Sequence, residues 1–342
     1  MKSLMCGFLL VFIGINANGQ DIHFTQSQQA PMLINPGATG IFNGWERVMV
    51  NHKNQWISTG TSFLTTSIAA DLNFFKPKRG DKAHMGLGIQ FYNDIAGDSK
   101  FGTREFLVNL SGIVPLNEMN QLSAGLQFGL GQRSGDISGV MFPNQFDGDE
   151  LNPMNFSGEY NNLVTFVYPD VSAGLFYRYG NHKVGFFRDD ATDFRVGVAY
   201  YHINKPTLKY RLGYSEDLYA KWVFHSSFLK EFSGSKLGME VYFNQFIQGP
   251  HSETSFGGVL RYRLKEGSKT TGLNREMFIN GGLAYRWRDA ISPLLYFQFA
   301  SWQLGISYDI TLYELGTLSR AGGLEFSLQY ANLDFAVFKR RR

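Results

Sequence analysis

The residues best suited to chemistry are few and scattered. The seven histidines (His23, His52, His84, His182, His202, His225 and His251) include no His-x-x-x-His pair and no obvious metal spacing. His225 beside Ser226 suggests a base and a nucleophile. Neighbours along a strand point to opposite faces, however, so these two cannot act on each other. Asp147-Gly148-Asp149-Glu150 offers oxygen ligands but lacks the alternating positions and the glycine of an EF-hand loop. It reads as a solvated turn, with adventitious calcium as the alternative. Asp189-Asp190 reads as a turn between strands. The one cysteine, Cys6, falls within the first twenty residues, so the rest of the chain has no thiol for a disulfide, a nucleophile or a metal. The expectation is a non-enzyme with no catalytic residue, metal or cofactor.

Composition says what kind of scaffold carries these residues. The chain of 342 residues is 18% charged and 15% aromatic, with 38 Gly and 10 Pro. The low charge fraction, against about 25% in ordinary domains, argues against disorder. A mean hydropathy of −0.18 argues against a bundle of membrane helices. Phe, Tyr and Trp among Gly and Thr suit extended β-structure. A formal charge of +3 with one dense basic run, Lys339 to Arg342, gives no footprint for nucleic acid.

Residues 1–19 read as a cleaved export signal. Lys2 supplies positive charge, Leu4 to Ile15 form a short apolar stretch, and Ala17-Asn18-Gly19 offers small residues before Gln20. The stretch is shorter than the roughly 20 residues a spanning helix needs. No later run is apolar enough to anchor the chain as a helix.

From Arg47 onward, period two dominates. Met85, Leu87, Ile89 and Phe91 alternate with His84, Gly86, Gly88 and Gln90, and Trp302, Leu304, Ile306, Tyr308 and Ile310 with Gln303, Ser307, Asp309 and Thr311. Such segments have one apolar and one polar face. Their length of about ten residues or more suits a tilted strand crossing a membrane. About fourteen occur, centred near 51, 68, 88, 108, 127, 175, 198, 225, 241, 258, 281, 296, 307 and 329. Those near 225 and 296 are the weakest, so 12 or 16 strands are the alternatives. An open sheet in hydrocarbon would leave edge amides unsatisfied, so the sheet must close. The fold expected is all-β: a transmembrane antiparallel barrel over 46–338, with a basic tail at 339–342. Trp56, Phe74, Phe75, Phe101, Tyr177, Tyr179 and Trp287 stand where interfacial aromatics belong. Gly125, Gly129 and Gly131, on a polar parity, relieve crowding in a small lumen or mark bends, and bends are the preferred reading.

Residues 20–45 are polar and irregular, and are expected in the periplasm together with both termini. They lead into a motif: Phe24-Thr25-Gln26, Pro31, Asn35-Pro36-Gly37-Ala38-Thr39-Gly40, Arg47 and Asn51-His52-Lys53-Asn54-Gln55-Trp56. This run resembles the start of the PorP/SprF family, outer-membrane proteins of the type IX secretion system of Bacteroidetes. The family pattern has Asn-Pro-Ala, a later Gly, an Arg and a block close to Asn-Tyr-Arg-Asn-Gln-Trp. The chain departs from it at Gly37, His52 and Lys53.

The resemblance implies a non-enzymatic part in protein export: capture of secreted adhesins carrying a type B C-terminal sorting domain, with support of gliding in gliding species. It implies as partners that adhesin, other secretion components at the outer membrane and periplasmic ring, and membrane lipids. Asn35, Pro36, Gly40, Arg47, Asn54, Gln55 and Trp56 then either contact a partner or fold the N-terminal segment against the barrel. The alternative function is a passive pore for small solutes, its constriction drawn from Lys53, Asp71, Glu105, Arg133, Lys236 and Glu240 on the inward parity. Strand parity puts the long loop 134–169 outside the cell. Its apolar residues, among them Phe142, Phe146, Phe156 and Phe166, are too many for a solvated tether, so it plugs the lumen or docks a partner.

Overall fold

A computed structural model describes residues 21–332, apart from 57–62, 78–81, 149, 153, 160–162, 181–190, 212, 267–275 and 313–321. The expected signal at 1–19 and basic tail at 339–342 lie outside the described residues, as do His182, Asp149 and Asp189-Asp190.

Fourteen strands close into one antiparallel barrel. They are β1 (Glu46–Gln55), β2 (Phe63–Phe74), β3 (His84–Ala96), β4 (Phe101–Pro115), β5 (Asn120–Ser134), β6 (Phe166–Gly180) and β7 (Thr192–Tyr201). The second half comprises β8 (Lys221–Glu231), β9 (Leu237–Gln248), β10 (His251–Lys265), β11 (Met277–Arg286), β12 (Ala290–Phe299), β13 (Trp302–Thr311) and β14 (Gly323–Asn332). Each pairs with its sequence neighbour, and β1 pairs with β14 from Glu46↔Asn332 to Gln55↔Gly323. That last ladder leaves no edge, which is what hydrocarbon demands of a spanning sheet. Every one of the fourteen sequence centres falls in its own strand, including the two weakest.

The alternation sorts into two environments. Outward positions such as Ile89, Leu126, Leu260 and Leu283 are exposed apolar side chains, while inward Asn51, Ser67, Asn109 and Gln127 are buried. A soluble sandwich would bury the apolar parity; this barrel presents it outward as a lipid-facing belt. Aromatics mark both rims: Phe74, Phe299 and Trp302 at one, Trp56, Trp222 and Trp287 at the other.

The two ends differ. At the entry end β1 begins and β14 finishes, and β12–β13 turn there within 300–301. The opposite, loop end carries the two long connections, 135–165 and 202–220, together with the tight 249–250 turn. The strand bounds place Ser134 in β5 and Phe166 to Pro169 in β6, which shortens the expected loop at both sides.

Residues 21–45, expected in the periplasm, run through the barrel lumen. The path includes 3-10 turns at Ser27–Gln29 and Pro36–Ala38 and a one-turn helix α1 (Pro31–Ile34). Gln26, Asn35 and Thr39 are fully buried. Asp21 lies at the loop end, beside residues ending β9 and starting β8, while Trp45 N donates to Asn332 O at the entry end. The physical reason is that its backbone and amide groups meet inward polar side chains while Met32, Ile34 and Ile41 pack on inward apolar ones.

Candidate functional site

The site is the filled lumen and the loop end above it. Its foot is built on β1 and β2. Arg47 donates twice to Asp71, Nε to Oδ1 at 2.9 Å and Nη2 to Oδ2 at 2.7 Å, and its guanidinium lies 4.5 Å from the Phe42 ring centroid. Gly40 N donates to the same carboxylate at 2.8 Å, from a backbone with φ of 77°. Only glycine adopts that conformation without strain, and a Cβ there would also meet Asn73 and Gly86. Across the lumen Arg178 donates to Asp193 and to Asn43 Oδ1. Lys76, beyond the end of β2, donates to the carbonyls of Phe42 and Gly44; burial pushes its ammonium down to about 8.

At mid-lumen Asn35 is the keystone. Its Oδ1 accepts from Gly37 N at 2.7 Å, and its Nδ2 faces Leu175 O, Val198 O and His225 Nε2 at 2.9, 3.2 and 3.0 Å. An amide nitrogen only donates, so these neighbours fix both the amide orientation and His225 Nε2 as an acceptor. The wall gives way here through glycines: a Cβ on Gly125 would strike the Pro36 backbone, and one on Gly174 would strike Asn35. Gly129 and Gly131 make room for Leu107 and Tyr168. The polar-parity glycines of β5 therefore relieve crowding rather than mark bends.

Nearer the loop end, Glu325 accepts from Thr25 N and Gln26 N at 2.9 and 2.8 Å. Asp309 gathers Thr25 Oγ1, Ser292 Oγ, Lys53 Nζ and Arg286 Nη2. The tip is a charged cluster. Asp21 Oδ2 sits 2.8 Å from His202 Nε2 and 3.3 Å from Lys221 Nζ, and His202 Nδ1 meets Asp170 Oδ1 at 2.9 Å. Burial alone would raise the Asp21 carboxyl, but His202 and Lys221 outweigh it and hold it well below the carboxylate range. Burial likewise opposes the imidazolium of His202, yet Asp21 and Asp170 push it up to about 10.

Above the tip, a hairpin within 202–220, Thr207–Arg211 with Tyr214–Asp217, covers Tyr168, whose hydroxyl donates to Glu105 at 2.5 Å. Tyr210 takes a hydrogen bond from Arg133 and packs on Phe101 and Phe166. Val164 N donates to Tyr210 O, tying the long loop to this hairpin. Elsewhere in that loop Asp136 N donates to Ser99 O, Asn152 N to Gln145 O, and Gln145 Nε2 to Asn155 O. Phe146, Met154 and Phe156 are exposed, the last two by 70% or more. Phe142 is half-buried, and Phe166 belongs to β6.

The seven motif residues divide. Asn35, Pro36, Gly40 and Arg47 seat the segment in the lumen. Asn54 and Gln55 are half-buried at the far end of β1, and Trp56 is exposed on the loop-end rim, edge-on to Phe63. Of the suggested constriction charges, Lys53, Asp71, Glu105 and Arg133 are tied to the partners above, Glu240 is half-buried, and Lys236 is exposed in the β8–β9 turn. Sequence reading did not single out Asp21, His202, Asp309, Glu325 or Gly174. Inward parity marked Asp309 as a polar-face position; nothing local marked Asp21 or His202 as partners. Among the described residues no cluster of His, Cys, Asp and Glu has metal-binding geometry.

A closed barrel with an apolar outside and a polar inside is a transmembrane outer-membrane barrel. Residues 16–330 match the family described as type IX secretion system membrane protein PorP/SprF, and the chain belongs to that family. A comparison with curated proteins finds no match. Among solved structures it is similar to CdiB from Acinetobacter baumannii (TM-score 0.41, 8% identity, covering 83% of this chain and 60% of that one). It is also similar to a Pseudomonas aeruginosa FadL homologue (0.44, 11%, 86% and 91%) and to the P. putida toluene transporter TodX (0.44, 9%, 89% and 94%).

Proposed function

We propose that this barrel is a non-enzymatic outer-membrane station of type IX secretion that holds a secreted adhesin, through its type B C-terminal sorting domain, at the cell surface. Family membership supplies the secretion system. The observation that carries the docking is the contrast between a lumen filled by the chain's own residues 21–45 and the exposure of Phe146, Met154 and Phe156 on the described part of the 135–165 loop. Exposed apolar clusters on an otherwise wet surface mark contact sites. In this reading the loop end faces outward and the entry end the periplasm, where other secretion components meet it, and gliding is served through the adhesin. A constantly open pore is the weaker reading, because Lys53, Asp71, Glu105 and Arg133 are engaged with partners. The test is to replace 141–156 by a short Gly/Ser linker and count adhesin on intact cells. Loss of display with normal barrel levels is expected; unchanged display would overturn the docking role. A Gly148→Cys variant labelled by an impermeant maleimide on intact cells checks the sidedness.

A further inference from the structure

Segment 21–44 is fastened unevenly. At the entry end it continues covalently into β1. Along the lumen its apolar packing is divided among small separate contacts: Met32 on Met49 and Ala69, Ile34 against Ala199, Tyr201 and Val223, and Ala38 with Ile41 on Ile113 and Phe176, with Phe24 and Phe42 also buried. Most remaining ties are hydrogen bonds between groups that water would satisfy if the segment withdrew, so each holds it only modestly. The loop-end tip is different. There Asp21, His202, Asp170 and Lys221 bring two carboxylates and two cations together within 3.3 Å contacts, and Gln248 Oε1 accepts from Asp21 N. His202 sits at φ of 56°, an uncommon backbone state for a residue with a Cβ, held on both ring nitrogens by the two aspartates. It also opens the connection whose Tyr210 takes the hydrogen bond from Val164 of the long loop. Behind the segment, the exposed wall would be polar and glycine-lined, with Gly86, Gly88, Gly125, Gly174 and Gly305 all facing it.

We propose that segment 21–44 is a releasable plug, that the Asp21–His202–Asp170–Lys221 cluster is its latch, and that the barrel passes water and small ions when the latch opens. Breaking the latch at one aspartate removes charge-assisted hydrogen bonds and should raise the open population roughly ten- to a hundredfold.

The test uses the full chain in planar bilayers. Wild type should be closed almost throughout, and Asp21→Asn and His202→Gln should each show frequent openings. Combining them should add little, since they act on one latch. A Ser27→Cys/Asn244→Cys pair, placed where the native side chains meet at 3.0 Å, should silence Asp21→Asn when oxidised and restore openings on reduction. Should that pair fail to fold or to cross-link, single Ser27→Cys labelled by an impermeant maleimide decides: Asp21→Asn should speed labelling by a similar factor. Folded Asp21→Asn protein with wild-type silence and wild-type labelling would overturn the proposal. So would openings that persist under the oxidised lock. Adhesin docking is measured on cells and this gate on purified protein, so either can fail without the other.

Discussion

Residues 21–45 and 135–165 look alike in sequence: both are irregular and punctuated by Pro, Gly and Asn. Both carry large apolar side chains, Phe24, Met32, Ile41 and Phe42 in the first and Met141, Phe146, Met154 and Phe156 in the second. The first fills the lumen, with Gln26, Asn35 and Thr39 fully buried beside Met32 and Ile41, while Met154 is 92% exposed on the other. The lesson is about solvent. In a water-soluble fold the inside is apolar and hydrophobicity finds it. In this barrel the apolar face looks outward, and the inside is a polar cavity whose groups need hydrogen-bond partners. What fits there is a strip of backbone and amides, with glycines in the wall to let it approach.

The largest effect that sharpens this contrast is at the foot of the plug. Arg47→Ala leaves the Asp71 carboxylate buried without its guanidinium, a loss of about 3–5 kcal/mol for a broken buried pair. The temperature at which folded protein loses its anomalous gel mobility should fall markedly. Replacing both residues with apolar ones should recover most of the loss. A single variant as stable as wild type would mean that Asp71 is reached by water. Next comes the middle of the segment. Asn35→Ala strips one donor group from Leu175 O, Val198 O and His225, and Gly125→Ala drives a methyl into the Pro36 backbone. Each should cost about 1–3 kcal/mol and speed maleimide labelling at Ser27→Cys. On the loop, Met154→Ser should stay within about 0.5 kcal/mol of wild type. A plug-sized loss there would break the comparison by showing that the loop is packed.

The wall was readable from sequence because its signal is local: period two repeats over each strand, and Leu260 or Asn51 declares its face through its neighbours. The family motif likewise singled out Asn35, Pro36, Gly40 and Arg47 from adjacent residues. The plug was not readable, because occupancy of the lumen depends on contacts across the whole chain. Thr25 and Gln26 meet Glu325, and Asp21 meets His202 and Lys221, and no spacing rule connects residues so far apart. Gly125 shows the boundary. Its inward parity was plain, but whether it marked a bend or a close approach depended on where Pro36 would lie.

The smallest effect concerns pH and separates the tip of the plug from everything else. His202 is raised to about 10 from an ordinary 6.5. The folded state therefore binds its proton more tightly than the unfolded chain does. Its stabilisation is fully present below about 6.5 and is lost as pH climbs through about 10. Asp21 is lowered, so its contribution is present above the ordinary carboxylate value and is lost only in strong acid. Between about pH 6.5 and 10 opening releases the His202 proton, so the latch weakens steadily across that range. Open probability in bilayers should accordingly be flat below about pH 6.5, rise steadily through the alkaline range and level off beyond about pH 10, where the imidazolium between the two carboxylates has lost its proton. Tyrosines and lysines titrate in the same alkaline range, so the discriminating trace is His202→Gln, which should be more open at neutral pH and lack the His202 component of the rise. Loop variants such as Met154→Ser should keep the wild-type profile. A His202→Gln profile that merely parallels wild type would mean that the alkaline opening comes from elsewhere in the barrel and that the imidazolium does not hold the tip.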